Sequence, residues 1–188
     1  MSDNLFFDEA TLAHRGKNVI IGKTVRIRYP ELVRLGDNVI IDDFSYISTA
    51  LECDDYVHIS AGAKLIGGRQ ATVRFGQFST LAPNVVLAAG SDDYVAGIAT
   101  PLVPRHVKGA VEVGDITLGR HCIVGANSTV LPNVTFGDGA CLGAQSLAKK
   151  NLEAWTLYAG VPARKLRNRD KDAILALEEQ FWKEVGNG

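Results

Sequence analysis

Large apolar residues recur every six positions across residues 118–147. The large members are Leu118, Val124, Val130, Phe136 and Leu142. Four positions after each comes a smaller or β-branched residue, namely Cys122, Ser128, Val134, Ala140 and Ser146. A six-residue period is typical of a parallel β-helix. Because a strand buries alternate side chains and no coil can bury its large residues alone, the pattern predicts stacked coils of about eighteen residues each.

The same period extends towards the N-terminus with two slips. It begins near Ile21 and is displaced at residues 29–31 and again at residues 67–70. Between and after the slips the large positions are Leu35, Ile41, Ile47, Cys53, Ile59, Leu65, Phe75, Leu81 and Leu87. We therefore predict an all-β fold, a parallel β-helix over residues 19–167.

Three segments depart from the repeat. Residues 88–115 show little alternation and are too long for a corner, so they predict an ordered excursion loop that returns near Ile116. Residues 1–18 are a lead-in whose apolar side chains could cap the open end of the coil. Within residues 168–188, apolar residues at helical spacing predict a C-terminal α-helix from about residue 170 to 185, with Asp170 or Asn168 at its start.

Composition narrows the classes of function. The chain has 188 residues and a formal net charge of −1, so it carries no basic footprint for nucleic acid. No apolar run has the length of a membrane span, and the N-terminus lacks the features of a signal peptide, which predicts a cytoplasmic protein without a membrane partner. The three cysteines suggest neither a disulfide framework nor a zinc site.

Residues 118–147, followed by YAGVPARKLR at 158–167, closely resemble the hexapeptide-repeat acyltransferases. The resemblance covers roughly residues 18–167 and implies a left-handed coil, a hand that the repeat alone does not predict. The segment Ala159–Arg164 is similar to the branch with sugar O-acetyltransferases, xenobiotic acetyltransferases and nucleotide-amino-sugar N-acetyltransferases.

The resemblance implies a homotrimer with acetyl-CoA as co-substrate, no metal, and active sites between subunits. The pantetheine arm is expected to run past the backbone of Gly125, Ala126, Gly143 and Ala144. The CoA phosphates are expected to meet Lys149, Lys150, Arg164 and Lys165, since exposed cations pair well with phosphate oxygens. The alternative for this basic cluster is an ordinary solvated surface.

The catalytic base of the family cannot be carried over directly. Many members have a histidine at the start of the excursion, where this chain reads Ala89-Gly90-Ser91-Asp92-Asp93-Tyr94. His58, which the register places outward, and the carboxylates Asp92 and Asp93 are the candidate catalytic groups. Their alternative roles are hydrogen bonding across coils for His58 and turn formation for the aspartates. Candidate substrate contacts are Asp43, Tyr46 and Tyr94.

The missing histidine favours an amine acceptor over a hydroxyl, because a neutral amine attacks a thioester without a strong base. We therefore expect N-acetylation of a nucleotide-linked amino (deoxy)sugar for surface polysaccharide, by direct transfer in a ternary complex. O-acetylation of a sugar hydroxyl is the alternative enzyme activity. A β-helix metal hydrolase is more remote, since the four histidines at 14, 58, 106 and 121 show no grouping, and so is a non-catalytic assembly module.

Overall fold

The computed structural model describes residues 4–185, which form a left-handed parallel β-helix of about seven turns, as predicted. Short strands occupy three walls, and each coil passes from the first wall to the second and then to the third.

The strands of the first wall are β1 (His14–Arg15), β4 (Val33–Leu35), β13 (Ile116–Leu118) and β16 (Thr135–Phe136). Those of the second wall are β2 (Ile20–Ile21), β5 (Ile40–Ile41), β7 (His58–Ile59), β9 (Thr80–Leu81), β14 (Ile123–Val124), β17 (Cys141–Leu142) and β19 (Thr156–Ala159). Those of the third wall are β3 (Arg26–Ile27), β10 (Val86–Ala88), β15 (Thr129–Val130) and β18 (Leu147–Ala148). Two longer strands, β6 (Tyr46–Cys53) and β8 (Lys64–Phe75), bend around the corner from the third wall to the first.

The core fills the inside of the coil with the residues that the six-residue register selects. Phe75, Phe136, Leu35, Ile41 and Leu65 are among the largest fully buried side chains. Truncating such a residue to alanine typically costs about 2–5 kcal/mol of stability, because the stacked neighbours cannot close the cavity.

Both slips in the repeat lie at the corner between the third and first walls. The first is a 3-10 helix, Pro30–Leu32. The second is a bulge in β8, where Thr49 of β6 pairs with Gly68 and Ala50 pairs with Thr72. The residues between these two partners, including Arg69 and Gln70, are therefore pushed out of the ladder.

The excursion loop leaves at this same corner. It contains an antiparallel pair, β11 (Gly90–Asp92) with β12 (Val111–Val113), and a short helix, α1 (Arg105–Lys108). The chain rejoins the first wall at Ile116, where β13 begins.

The two ends of the chain add further elements. A 3-10 helix (Glu9–Thr11) precedes β1, so the predicted lead-in already contains one strand. At the other end β20 (Arg164–Asn168) pairs antiparallel with β19, and α2 (Lys171–Val185) follows. The Asp170 side chain accepts a hydrogen bond from Ala173 N–H at 3.0 Å, as its predicted role at the helix start requires. The divisions at residues 18 and 168 stay predictions, and residues 1–3 and 186–188 lie outside the described part.

No helix in the described part of the chain combines the length and apolar character needed to cross a bilayer.

Candidate active site

His58 and Asp42 form a pair on the outside of the second wall. Ile59 is buried, so its neighbour His58 on β7 points outward, as the register predicted. Its Nε2 lies 2.8 Å from Asp42 Oδ2 in the preceding coil, and both side chains are nearly half exposed. When Nε2–H donates to Asp42, the Nδ1 lone pair can accept a proton from a substrate. Sequence reasoning missed this role of Asp42, although both residues belong to the second wall.

Asp43 is tied into the corner after β5. Its Oδ1 accepts hydrogen bonds from Thr24 N–H at 2.8 Å and from Thr24 Oγ1–H at 2.7 Å. Together these two bonds hold the pKa of the Asp43 carboxyl below its usual range, and the bond from the backbone N–H has the larger effect. The contacts give Asp43 a structural role in joining two coils, and its role towards substrate stays a prediction.

Tyr46 lies on the third wall, where it pairs in register with Lys64 of β8. Tyr46 is partly exposed, whereas the residues directly before and after it in the chain are buried. It therefore occupies a different wall from His58.

The two loop aspartates have different partners. Asp92 Oδ1 forms an ion pair with Lys108 Nζ at 2.7 Å, which links β11 to α1. Asp93 Oδ1 accepts hydrogen bonds from Val95 N–H at 2.8 Å and Ala96 N–H at 3.1 Å. These backbone donors lower the pKa of Asp93, so the group is an anion at neutral pH. The adjacent Tyr94 side chain is 90% exposed.

One chain does not bring the wall and loop candidates together. The loop with Asp92 and Asp93 leaves at the corner between the third and first walls. His58 lies on the second wall, which faces that corner across the coil. Within one chain the two groups therefore lie on different sides of the β-helix.

The basic residues predicted for CoA do converge. Lys149, Lys150, Arg164 and Lys165 all line one cavity of about 150 Å³ on the last coil. Lys165 Nζ also lies 2.8 Å from Glu153 Oε2, which raises the pKa of Lys165 through the hydrogen bond and the negative charge. The cluster is a cationic surface that can hold phosphate oxygens.

Gly125 and Gly143 have a packing reason for being glycines. A Cβ on Gly125 would lie 2.8 Å from Ala144 Cα in the next coil. Gly143 N–H donates to Tyr158 O at 2.7 Å, and Gly143 O accepts from Ser128 Oγ–H at 2.8 Å. The two glycines themselves leave their backbone uncovered by a side chain, so a ligand could approach it there, although both polar groups of Gly143 already have partners within the β-helix.

The cysteines are poor nucleophiles. Cys53 and Cys122 are buried, and burial raises the pKa of both thiols, that of Cys122 to about 12. Cys141 is half-buried on the second wall, and its pKa is also raised by burial. All three are neutral thiols at physiological pH, and the thiolate is the reactive form.

Among residues 4–185, no group of three or more histidine, cysteine or acidic side chains could hold a metal ion. His14 lies on the first wall, His58 on the second, His106 in α1 and His121 at a corner.

No protein-family model matches the chain. Over 184 residues it is 30% identical to the dTDP-4-amino-4,6-dideoxy-D-glucose acyltransferase of Escherichia coli, which covers 95% of this chain and 93% of that protein. The chain belongs to the hexapeptide-repeat acyltransferases. It is accordingly an acyltransferase, as its sequence predicted.

Other members of the family show similarity over most of their length. AntD, an N-acyltransferase from Bacillus cereus solved with dTDP and 3-hydroxybutyryl-CoA, is 34% identical, with a TM-score of 0.88 over 97% of this chain and 99% of that chain. A variant of AntD, also 34% identical, was solved with dTDP-4-amino-4,6-dideoxyglucose and coenzyme A, with a TM-score of 0.89 over 96% of this chain and 98% of that chain. A putative colanic acid biosynthesis acetyltransferase of Escherichia coli is 28% identical over 82% of this chain and 68% of that protein.

Proposed function

We propose that the chain transfers an acyl group, acetyl in the first instance, from acyl-CoA to the amino group of a nucleotide-linked amino deoxysugar. The observation that carries the proposal is the similarity, over nearly the whole chain, to an acyltransferase and an N-acyltransferase of dTDP-linked 4-amino-4,6-dideoxyglucose. A use in surface polysaccharide fits the similarity to a colanic acid biosynthesis protein. A cytoplasmic location stays a prediction from the N-terminal sequence.

The loop chemistry supports an amine acceptor. Asp92 and Asp93 stand where the resemblance to the family leads us to expect a histidine, and the lowered pKa of Asp93 keeps its carboxyl ionised at neutral pH and makes it a weak base. An ionised carboxylate attracts an ammonium or orients an amine N–H, whereas activating a hydroxyl requires a stronger base. We assign Asp93 the role of orienting the amine.

The transfer requires no acyl-enzyme. The amine nitrogen attacks the thioester carbonyl carbon, the C–S bond breaks, and the CoA thiolate leaves with the electron pair. The nitrogen loses one proton, for which His58 Nδ1, oriented by Asp42, is the candidate acceptor. Holding both substrates in one complex supplies much of the acceleration.

We also propose a homotrimer with the active site at the subunit boundary. His58 and Asp93 lie on opposite sides of the β-helix, so they meet only when the loop of one subunit reaches the wall of its neighbour. The loop also exposes Tyr94, Val95 and Leu102 to 90%, 95% and 90%, a concentration of apolar surface that indicates a protein contact.

The test is a thiol-release assay with acetyl-CoA and longer acyl-CoA donors against a panel of acceptors. Nucleotide-linked amino sugars should release CoA and gain the acyl mass, whereas simple glycosides should not. Activity on hydroxyl acceptors alone would overturn the choice of an amine. Incubation with donor alone should leave the intact protein mass unchanged, and a stable mass increase of one acyl group would contradict direct transfer.

A further inference from the structure

A cationic cleft lies between the excursion loop and the corner from which it emerges. It has a volume of about 690 Å³. Its walls are the bulge of β8 at residues 67–70, Tyr29, α1 and β12. This volume falls within the range of small-molecule sites. We call this feature the loop cleft.

Three cations line the loop cleft, namely Arg69, Arg105 and Lys108, and none of its described lining residues is acidic. Glu31 pairs with Arg69 at 2.7 Å, and Asp92 pairs with Lys108 at 2.7 Å. Arg105 forms no ion pair with residues 4–185. Two of the three positive charges are therefore compensated within the chain, and the third is available to an anion.

The fold restrains the Arg69 side chain at the loop cleft. The bulge in β8 pushes it out of the ladder, and the Arg69 guanidinium carbon lies 4.4 Å from the centre of the Tyr29 ring. The ring stack and the ion pair with Glu31 together restrain a side chain that is otherwise long and flexible. Bulges often serve to redirect a side chain next to a functional site.

The loop cleft adjoins the candidate acceptor carboxylates. Lys108 lines the cleft and contacts Asp92, and Gly109 follows it beside Asp93. The opposite side is apolar, formed by Val111 and Val113 of β12. An anionic group bound at the arginines would thus place a neighbouring sugar close to Asp92 and Asp93.

We propose that the loop cleft binds the diphosphate of the nucleotide-sugar acceptor, with Arg69 and Arg105 as its phosphate contacts. The inference rests on the proposed function, because it concerns the acceptor of that reaction. CoA contains a diphosphate too, but the cavity of Lys149, Lys150, Arg164 and Lys165 lies further along this corner, on the last coil, and the coil with β15 and β16 separates it from the excursion loop. Guanidinium groups suit phosphate because they can donate two parallel hydrogen bonds.

The test measures binding of dTDP, thymidine and CoA by calorimetry to the full-length protein and to Arg69→Gln, Arg105→Gln and the control Arg167→Gln on β20. Each of the first two substitutions should weaken dTDP binding about tenfold or more, as loss of a charged hydrogen bond would. Thymidine and CoA affinities should stay within about twofold of wild type, and Arg167→Gln should change none of them. Arg105→Gln is the cleaner variant because it breaks no ion pair within residues 4–185, and Arg105→Lys should retain part of the affinity.

Unchanged dTDP affinity in both Arg69→Gln and Arg105→Gln would overturn the proposal. Loss of CoA affinity instead would also overturn it, because the cleft would then serve the donor. Wild-type acyl transfer is measured in parallel. If wild type acylates a nucleotide amino sugar while both variants keep its KM, only the cleft assignment fails. If wild type acylates no such acceptor, the proposed function fails, and the dTDP affinities alone decide the role of the cleft.

Discussion

A carboxylate has two oxygens, and those of Asp93 have different neighbours in the loop. Its Oδ1 accepts the two backbone N–H groups that shape the turn. Its Oδ2 lies towards Gly109, on the side of the loop cleft. The backbone N–H of Ala110 also lowers the pKa of this carboxyl. Shaping the loop is therefore the observed role of Asp93, and its role towards the substrate stays a prediction.

We predict that Asp93→Asn lowers kcat/KM for a nucleotide amino sugar by roughly 100-fold, because the variant loses the charge that orients the amine and misplaced reactants cost about that much. The amide oxygen can still accept the turn hydrogen bonds, so the melting temperature should change little. Thermal unfolding and steady-state kinetics check the two halves separately. Near-wild-type kcat/KM in a folded variant would remove Asp93 from the site.

The direction of individual side chains could be read from the sequence, but their partners could not. The register placed His58 outward and Cys53 and Cys122 inward, and the structure agrees. The contact between His58 and Asp42 lies in a stretch without a slip, where the register places both residues on neighbouring coils of one wall but does not specify which side-chain atoms meet. The ion pair of Lys108 with Asp92 depends on the return path of a non-periodic loop.

At the scale of elements, one corner of the coil docks the C-terminal helix. Tyr56, Phe78 and His121 precede the second-wall strands of successive coils and stack with ring centroids 5.2 and 5.1 Å apart. Phe181 and Trp182 of α2 pack against this ladder. The helical spacing predicted that α2 exists and where it lies in the chain, but the ladder that receives it was missed, although the three residues share one position in the repeat.

Glu178 fixes α2 to that corner. It accepts a hydrogen bond from Trp182 Nε1–H at 3.2 Å, lies 2.8 Å from His121 Nε2 and pairs with Arg120, and its side chain is 11% exposed. Burial acts to raise the pKa of Glu178, but the hydrogen bonds from His121 and Trp182 and the charge of Arg120 outweigh it, so the pKa is lowered from 4.5.

We predict that Glu178→Gln destabilises the fold by about 1–3 kcal/mol at neutral pH, the range for a hydrogen bond to a charged group. Because the pKa is lower in the folded state, the contribution of Glu178 is present above pH 4.5 and is lost as the pH falls through the lowered pKa. Urea unfolding at pH 7 and near pH 3 measures the difference. Glu179→Gln on the exposed side of α2 is the matched control. An equal effect of both substitutions would contradict the docking role of Glu178.

At the scale of the whole molecule, the fold follows from the repeat, whereas the site does not. The six-residue register determines which residues enter the core, so the coil and its three walls could be predicted. The proposed two-chain site depends on which wall faces which loop of a neighbouring subunit, and a repeat within one chain carries no information about that contact.

A mixing experiment tests the two-chain site. If His58→Asn and Asp93→Asn are each inactive, trimers formed by refolding them together should regain activity at about a quarter of their sites, where each chain supplies the residue that the other lacks. Activity after mixing checks this, with each variant refolded alone as the control. No recovery in mixed trimers would place both residues in a site within one chain or exclude one of them.

The central claim is that the acceptor group is an amine on a nucleotide-linked sugar. The most direct measurement is kcat/KM with acetyl-CoA for dTDP-4-amino-4,6-dideoxyglucose and for dTDP-6-deoxyglucose, which differ only in the group at C4. We predict that the amine is acylated at least about 100-fold more efficiently, because the loop offers an ionised carboxylate rather than a strong base. Equal efficiency, or preference for the hydroxyl compound, would contradict the proposed function.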